Sequence, residues 1–445
     1  MSAAFDPRER LADLLAHARR AGADEADAVL FSGTSLSVSR RLGQIEHVER
    51  SEGRDLGLRV FVGDRSAIVS ASAIDEAAFA DMAQRAVAMA RVVPADPLSS
   101  VAPLRDIPPA DLDLDDPSEP DAQALGELAG IAEDAARSMP GITNTEGADA
   151  GFSRSEAVLA TSRGFSGSYR RTGHSVSATA LAGTGTGMQR DYDYSSAVYA
   201  ADLDDPAGIG RRAAEQALAR LNPTRPKTAR MSVVYDPRVS SSLLGHLSGA
   251  VNGASVVRGT SFLKERMGQR IFAHGVTVRD DPRRRRGLRS RPFDGEGQPT
   301  APLDIIADGI LTSWILDSRS ARQLGLTSTG HAARGTFGPP GPSATNLYLE
   351  PGTLSPSELM ADITEGLYVT ELIGSGVNGI TGDYSRGAAG FMIRNGALAE
   401  PVAEITIAGN LTEMFATLTP ANDLRFRRGT DAPTIRIDGM MLAGA

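Results

Sequence analysis

An α+β fold in two parts is what this sequence predicts. Helical periodicity recurs in several separated windows, runs of alternating residues fill the stretches between them, and a proline pair, Pro223 and Pro226, interrupts both patterns near the middle of the 445 residues. The length is roughly three times that of a common single domain, so a division is expected. Placed at the proline pair, it gives an N-terminal α+β domain with an antiparallel sheet over 1–222 and a strand-rich α+β domain over 228–445.

The elements follow in order. Asp6 is placed to cap and Pro7 to open a helix over 7–21 that carries Leu11, Leu14, Leu15 and Ala18 on one face and stops at Gly22. Alternating runs over 27–32, 34–41, 45–50, 56–62 and 65–71, broken by Gly33, Gly43, Gly53 and Gly63, predict an antiparallel meander. A helix over 75–92 ends before Pro94, and the proline- and aspartate-rich segment 94–121 has no periodicity, so it reads as a long surface connection. A third helix over 121–138, strand-like runs over 142–200 and a fourth helix over 206–220 complete the first part. Beyond the boundary, Val233–Pro237 reads as strand then turn, and a helix over 238–251 places Leu243, Leu244, Leu247 and Val251 on one stripe. The rest, 276–445, reads as strands and loops with a helix near 355–366, and Glu404–Ala408 reads as a closing strand.

Composition excludes several functions. With 46 basic against 55 acidic side chains the net charge is −9, the wrong sign for general nucleic-acid binding. The absence of cysteine removes disulfides, a thiolate nucleophile, iron-sulfur clusters and any sulfur-ligated zinc. No basic-then-apolar leader opens the sequence and no run of residues is long and apolar enough to span a bilayer, so a cytoplasmic protein free of membrane is expected. The lysines, Lys227 and Lys264, both lie outside any glycine-rich run, so there is no phosphate-binding loop of the Gly-Lys-Ser/Thr kind.

Motif by motif, the bland reading prevails. His17, His47, His174, His246, His274 and His331 are nowhere closer than 28 positions, so no local histidine pair exists to grip a metal. Gly374–Gly379 spells G-x-G-x-x-G, but Ile380–Gly387 is too glycine-rich to open the helix a pyrophosphate needs, and a close crossing of backbones is the better reading. Seven arginines between Arg279 and Arg291 read as a solvated loop, with no role assigned beyond solubility.

Several stretches together resemble the PmbA branch, also called TldE, of the TldD/PmbA family of gyrase modulators. They include Met188–Ser195, Asp236–Arg238 leading to Leu243–Ala250, Ser261–Leu263, Asp280–Pro282 with Ser290–Gly297, Ser328–His331, Asn346–Leu349, Gly379–Gly387 and Ile405–Asn410. The resemblance covers most of the chain. It implies the TldD/PmbA-type fold and a cytosolic TldD/TldE zinc metalloprotease pair acting on unfolded peptides. In that pair the TldD subunit carries an H-E-x-x-x-H helix and a cysteine as zinc ligands, with the glutamate activating water. The matching helix here places Gly245, His246 and Ala250 at those positions. A glycine and a methyl group cannot ligate zinc and an imidazole cannot replace the carboxylate, so a regular helix without the widened turn of a metal site is expected.

This chain is therefore expected to be the subunit that holds a TldD-like partner and shapes the peptide path. Zinc is expected in the partner, with no catalytic residue, metal or cofactor assigned to this chain. Asn378, Asp383, Tyr384, Ser385 and Arg386, with His331, are the candidate peptide-path or interface residues, Arg386 as either a carboxylate holder or a surface ion pair. His246, at the edge of the Leu243/Leu247/Val251 stripe, reads as a half-buried, hydrogen-bonded histidine. Two other classes stay open: an autonomous hydrolase with metal held by His331, His174 or His274 and carboxylates such as Asp383, and a regulatory or peptide-binding homodimer that meets no protease.

Overall fold

Asp6 accepts a hydrogen bond from the Arg8 N–H at 2.9 Å and Pro7 fills the first turn, so α1 (Pro7–Arg20) starts where its capping residues place it. The computed structural model describes residues 6–72 and 76–444; residues 1–5, and residue 75 at the expected start of the second helix, lie outside them. After α1 come β1 (Glu25–Arg41), β2 (Gln44–Val62), β3 (Arg65–Ala71), α2 (Glu76–Val92), α3 (Ala122–Arg137), β4 (Ile142–Thr161), β5 (Ser166–Ala182), β6 (Gln189–Ala197) and α4 (Pro206–Ala219). Asp121 and Asp205 cap α3 and α4 as Asp6 caps α1.

These strands make one antiparallel sheet in the order β3-β2-β1-β4-β5-β6. Residue parity decides what covers each face. Ala26, Ala28, Leu30 and Val158 pack under α1 and α2, while Val38, Ala148, Ala150 and Phe152 pack under α3 and α4. All are even-numbered on their strands, so all four helices lie on one face. The odd-numbered Val29 and Leu159 face the other way and meet Phe165 and Phe293.

Gly33 and Gly53 do not break their strands as expected. They stand opposite each other in the β1–β2 register, and Gly33 also pairs with Ser155 of β4. A glycine weakens a strand interior, but with partners on both sides its backbone groups stay in the ladder.

The chain after 228 contributes β7 (Ala229–Tyr235), α5 (Pro237–Ala250), α6 (Gly253–Val257), β8 (Val278–Asp280), β9 (Leu303–Ala307), β10 (Ile310–Leu311), α7 (Ser318–Gln323), β11 (Ala332–Ala333), β12 (Gly341–Pro342), β13 (Leu347–Leu349), α8 (Pro356–Met360), β14 (Glu365–Val377), β15 (Asp383–Arg394), β16 (Ala397–Asn410), α9 (Leu411–Thr417), β17 (Thr419–Pro420), β18 (Thr430–Asp431) and β19 (Ile435–Ala443). β7, β14, β15, β16 and β19 pair in a ring, because β16 joins β19 through Thr406–Ala408 as well as β15. Closure removes two sheet edges. Val233, Tyr235, Val369, Tyr384, Ile407 and Leu442 share its core with Leu243, Leu244 and Leu247 of α5. Each such leucine contributes about 1.5–3 kcal/mol by leaving water.

The helix expected over 355–366 is shorter. The Ser355/Glu358 capping box starts α8 on schedule, but it ends at Met360 and the backbone turns into β14. The G-x-G-x-x-G run opens no helix: Gly374–Val377 finish β14, and a Cβ on Gly376 would lie 2.3 Å from the Ser385 carbonyl oxygen. The chains approach too closely there for any other residue.

The arginine-rich stretch is not a solvated loop. Arg283 donates to the carbonyls of Pro108 at 2.7 Å and Pro109 at 3.0 Å, and Arg286 reaches Asp113 at 2.6 Å and Asp202 at 3.0 Å while lying 3.7 Å from the Tyr199 ring centroid. Arg284 covers Phe426, and Arg279 pairs with Asp304 and Glu350. Arg283, Arg285 and Arg286 bind down the 94–121 segment, which is only partly a surface connection: Val101, Ala102, Leu112, Leu114 and Asp116 are buried.

A second seam of charge joins the first sheet to the region after 228. Asp27, buried on β1, is held by Arg59 of β2 and by Arg334, whose Nη1 lies 2.5 Å from Oδ1. Burial works against the Asp27 charge, yet Arg334 and Arg59 keep its carboxyl below the ordinary carboxylate range. Nearby, Glu296 accepts from the Ser318 N–H at 2.9 Å, and burial followed by repulsion from Asp294 pushes its carboxyl up to about 7.

Candidate functional site

Asp236 accepts from the Arg238 N–H at 2.9 Å and Pro237 occupies the first turn, which fixes where α5 begins. The helix is regular throughout, as expected. Leu243, Leu244, Leu247 and Ala250 turn into the core. The opposite face is small and polar: Ser241, Ser242, Gly245, Ser248 and Gly249 form the floor of a cleft of about 690 Å³. A Cβ built on Gly245 or Gly249 would meet nothing within 4 Å, so the floor there is bare backbone open to the cleft.

The walls come from both parts of the chain. Arg190, Asp191 and Tyr192 of β6 and Arg220 just after α4 stand on one side; Glu371 of β14, Arg386 of β15, Arg289, Arg428 and Thr430 stand around the rest. The buried Asp191 carboxylate receives Arg238 at 2.7 Å and Arg220 at 3.5 Å, and Arg220 also binds Glu371. Burial opposes the Arg238 charge, but Asp236 and Asp191 more than offset it and hold the guanidinium ionised. Arg190 turns to Glu146 at 2.6 Å.

The positions matched to a zinc helix do not fit a metal. Gly245 and Ala250 carry no donor, and the imidazole between them points away from the cleft lining. His246 is half-buried with its ring edge-on to Tyr384, the centroids 6.0 Å apart. Its Nε2 is buried without a hydrogen-bond partner, so the expected bond at that nitrogen is missing. Burial, and then the charge of Arg386, lower its pKa and keep the ring neutral at pH 7. Among the described residues, no three His, Asp or Glu side chains gather as a metal site. His174, His274 and His331 each lie near a different carboxylate, Asp116, Asp308 and Asp280.

Of the candidate peptide-path residues, Arg386 alone lines this cleft, with Gly245 of the matched zinc-helix positions on its floor. Asn378 and Asp383 close the β14–β15 hairpin: Asn378 Oδ1 accepts from Ile380 N–H at 2.9 Å, and Asp383 accepts from Thr381 Oγ1 at 2.7 Å. Hydrogen bonds from Thr381 and Asn410 lower the Asp383 pKa. Alternation along β15 sends Ser385 outward and Tyr384 into the barrel, where burial raises its pKa. His331 is enclosed elsewhere, its Nδ1 2.8 Å from the Thr329 carbonyl oxygen. Arg190, Arg220, Arg238 and Arg428 were not singled out, and Arg289 was read only as part of a solvated arginine run. They come from five separate segments, and the sequence signal for two of them was only their place in Met188–Ser195 and Asp236–Arg238. No described helix is long and apolar enough to cross a membrane.

Comparison with known proteins matches most of the chain. Residues 26–90 match domain 1 of the PmbA/TldA metallopeptidases, 111–221 their central domain and 228–444 their C-terminal domain. Metalloprotease PmbA of Escherichia coli O157:H7 is 38% identical over 425 residues, covering 95% of this chain and 92% of that protein. The PmbA homolog of Haemophilus influenzae is 33% identical, covering 96% and 94%. A crystal structure from Bacteroides thetaiotaomicron, named for modulation of DNA gyrase, superposes with a TM-score of 0.89 at 26% identity over 98% of this chain and 99% of that one. TldE from Thermococcus kodakarensis shares the fold, with a TM-score of 0.88 at 20% identity over 98% and 100%.

Proposed function

From its membership of the PmbA/TldD metallopeptidase family, to which this chain belongs, we propose that it is the non-catalytic, TldE-type subunit of a two-chain cytoplasmic zinc peptidase that acts on unfolded peptides. The observation that carries this reading is the donor set of α5. Where a zinc helix needs two imidazoles and a carboxylate, Gly245 and Ala250 offer no lone pair and His246 turns its unbonded Nε2 into the protein. No step of hydrolysis is assigned to this chain. Its work is to hold a TldD-like partner, which carries the zinc, and to present an extended peptide along the cleft beside α5.

The reading is tested by purifying the chain alone and together with a TldD-like subunit, then assaying cleavage of an unfolded polypeptide. The mixture is expected to cleave while this chain alone is inert, and the two are expected to co-elute. Turnover by the isolated chain, with stoichiometric zinc found in it by elemental analysis, would overturn the reading.

A further inference from the structure

We propose that the cleft beside α5 binds a carboxylate-bearing segment of a peptide, gripped by Arg289, Arg386 and Arg428. The inference deepens the peptide-handling reading above and rests on it for the peptide nature of the ligand.

Charge in the cleft does not balance. Six arginines line it against two acids, Asp191 and Glu371. Asp191 is occupied by Arg220 and Arg238, Glu371 is occupied by Arg220, and Arg190 is turned to Glu146. The other three arginines bind neutral acceptors. Arg289 donates to Thr430 Oγ1 at 3.3 Å, Arg386 to the Ile373 carbonyl at 3.4 Å, and Arg428 to the Arg238 carbonyl at 2.8 Å and to the Tyr194 hydroxyl. Asp431 is near Arg428, but its carboxylate is taken by the N–H groups of Arg427, Arg428 and Gly429. A guanidinium offers five N–H donors in a planar fork, so each of these three has charge and donors to spare for a planar anion.

Shape and edge favour a peptide over a nucleic acid. β6 ends the first sheet, so one side of its backbone has no strand beside it among the described residues, and Arg190–Tyr192 of that strand line the cleft. An extended chain can add there by main-chain hydrogen bonds while a carboxylate reaches the arginines. Gly245 and Gly249 keep the floor clear of side chains, and a volume of about 690 Å³ admits a few residues. The net charge of −9 on the whole chain repels a long polyanion, while the unneutralised arginines inside the cleft accept an isolated acidic residue.

The test uses the full chain and fluorescence anisotropy. The probe is an unstructured Gly/Ser peptide of about a dozen residues containing Asp, acetylated and amidated at its ends; its Asn counterpart is made with an amidated and with a free C-terminus. The Asp peptide is expected to bind at least about tenfold more tightly than the amidated Asn peptide and to weaken with salt. Tight binding of the free-acid Asn peptide instead identifies the chain terminus as the source of the carboxylate and still supports the site. Arg386→Gln and Arg289→Gln are each expected to weaken the favoured peptide about fivefold, with the amidated Asn peptide unchanged. Arg289 is exposed, so its variant keeps the test decisive if the other misfolds. Equal affinity for all three peptides, no effect of either folded variant, or displacement of the peptide by a thymidine oligonucleotide at lower concentration overturns the proposal. Co-elution with the TldD-like subunit is measured on the same samples: if it persists while peptides are not distinguished, this inference alone falls, and if it is lost while they are, the subunit reading falls.

Discussion

Arg286 Nε donates to the Asp113 carboxylate at 2.6 Å, fastening the arginine-rich stretch to the middle of the 94–121 segment. The same carboxylate accepts from the Tyr199 hydroxyl, and those two bonds, Tyr199 first, hold the Asp113 pKa below the usual carboxylate range. The segment has no helix or strand of its own, so its order comes from such contacts and from a few buried apolar residues.

Asp113→Asn is therefore expected to loosen the segment without unfolding the molecule. Limited proteolysis followed by mass spectrometry should show cleavage within 94–121 several-fold faster than in the parent chain. An unchanged rate would mean that Leu112, Leu114 and Val101 hold the segment unaided.

Asp27→Asn should be far more damaging. It leaves Arg59 and Arg334, both buried, facing each other without their shared carboxylate. Breaking a buried pair in this way costs about 3–5 kcal/mol. Urea denaturation measures it, and a loss below about 1 kcal/mol would show that the cluster relaxes or hydrates.

Glu296→Gln should change how stability depends on pH. The native carboxyl, pushed up to about 7, keeps a proton that the unfolded chain releases near its ordinary value of 4.5. Its contribution is thus fully favourable below 4.5, declines as pH rises towards 7 and is constant above, with a span on the order of 3 kcal/mol. His174 and His246 act oppositely: burial lowers their pKa, so they lose stability as pH falls below 6.5. The difference between parent and variant reports Glu296 together with the neighbouring Asp294 carboxyl that repels it. A difference curve that is flat between pH 4.5 and 7 would refute the assignment.

His246→Phe should be tolerated. It keeps the edge contact with Tyr384 and replaces a buried nitrogen that has no partner, so stability should stay within about 1 kcal/mol or rise. Peptide cleavage by the assembled pair should remain within about threefold. A loss of several orders of magnitude in a folded variant would give this imidazole a chemical role.

What the sequence determined by itself is local. Asp6-Pro7, Asp121, Asp205-Pro206 and Asp236-Pro237 mark helix starts within a residue or so, because a cap acts on N–H groups two or three positions away. The donor set of α5 was equally plain, since Gly245 and Ala250 lack ligating atoms in any fold. Tertiary structure decided the rest. Gly33 survives in mid-strand because Gly53 and Ser155 flank it, α8 stops early as the chain enters the barrel, and Arg283, Arg285 and Arg286 find their acceptors in 94–121. The cleft is the clearest case: Arg220 and Glu371 lie 151 positions apart, and whether a guanidinium is neutralised or left free depends on which carboxylates the fold brings beside it. Charges that meet across such distances leave no periodic signature in the chain, so only the folded arrangement reveals them.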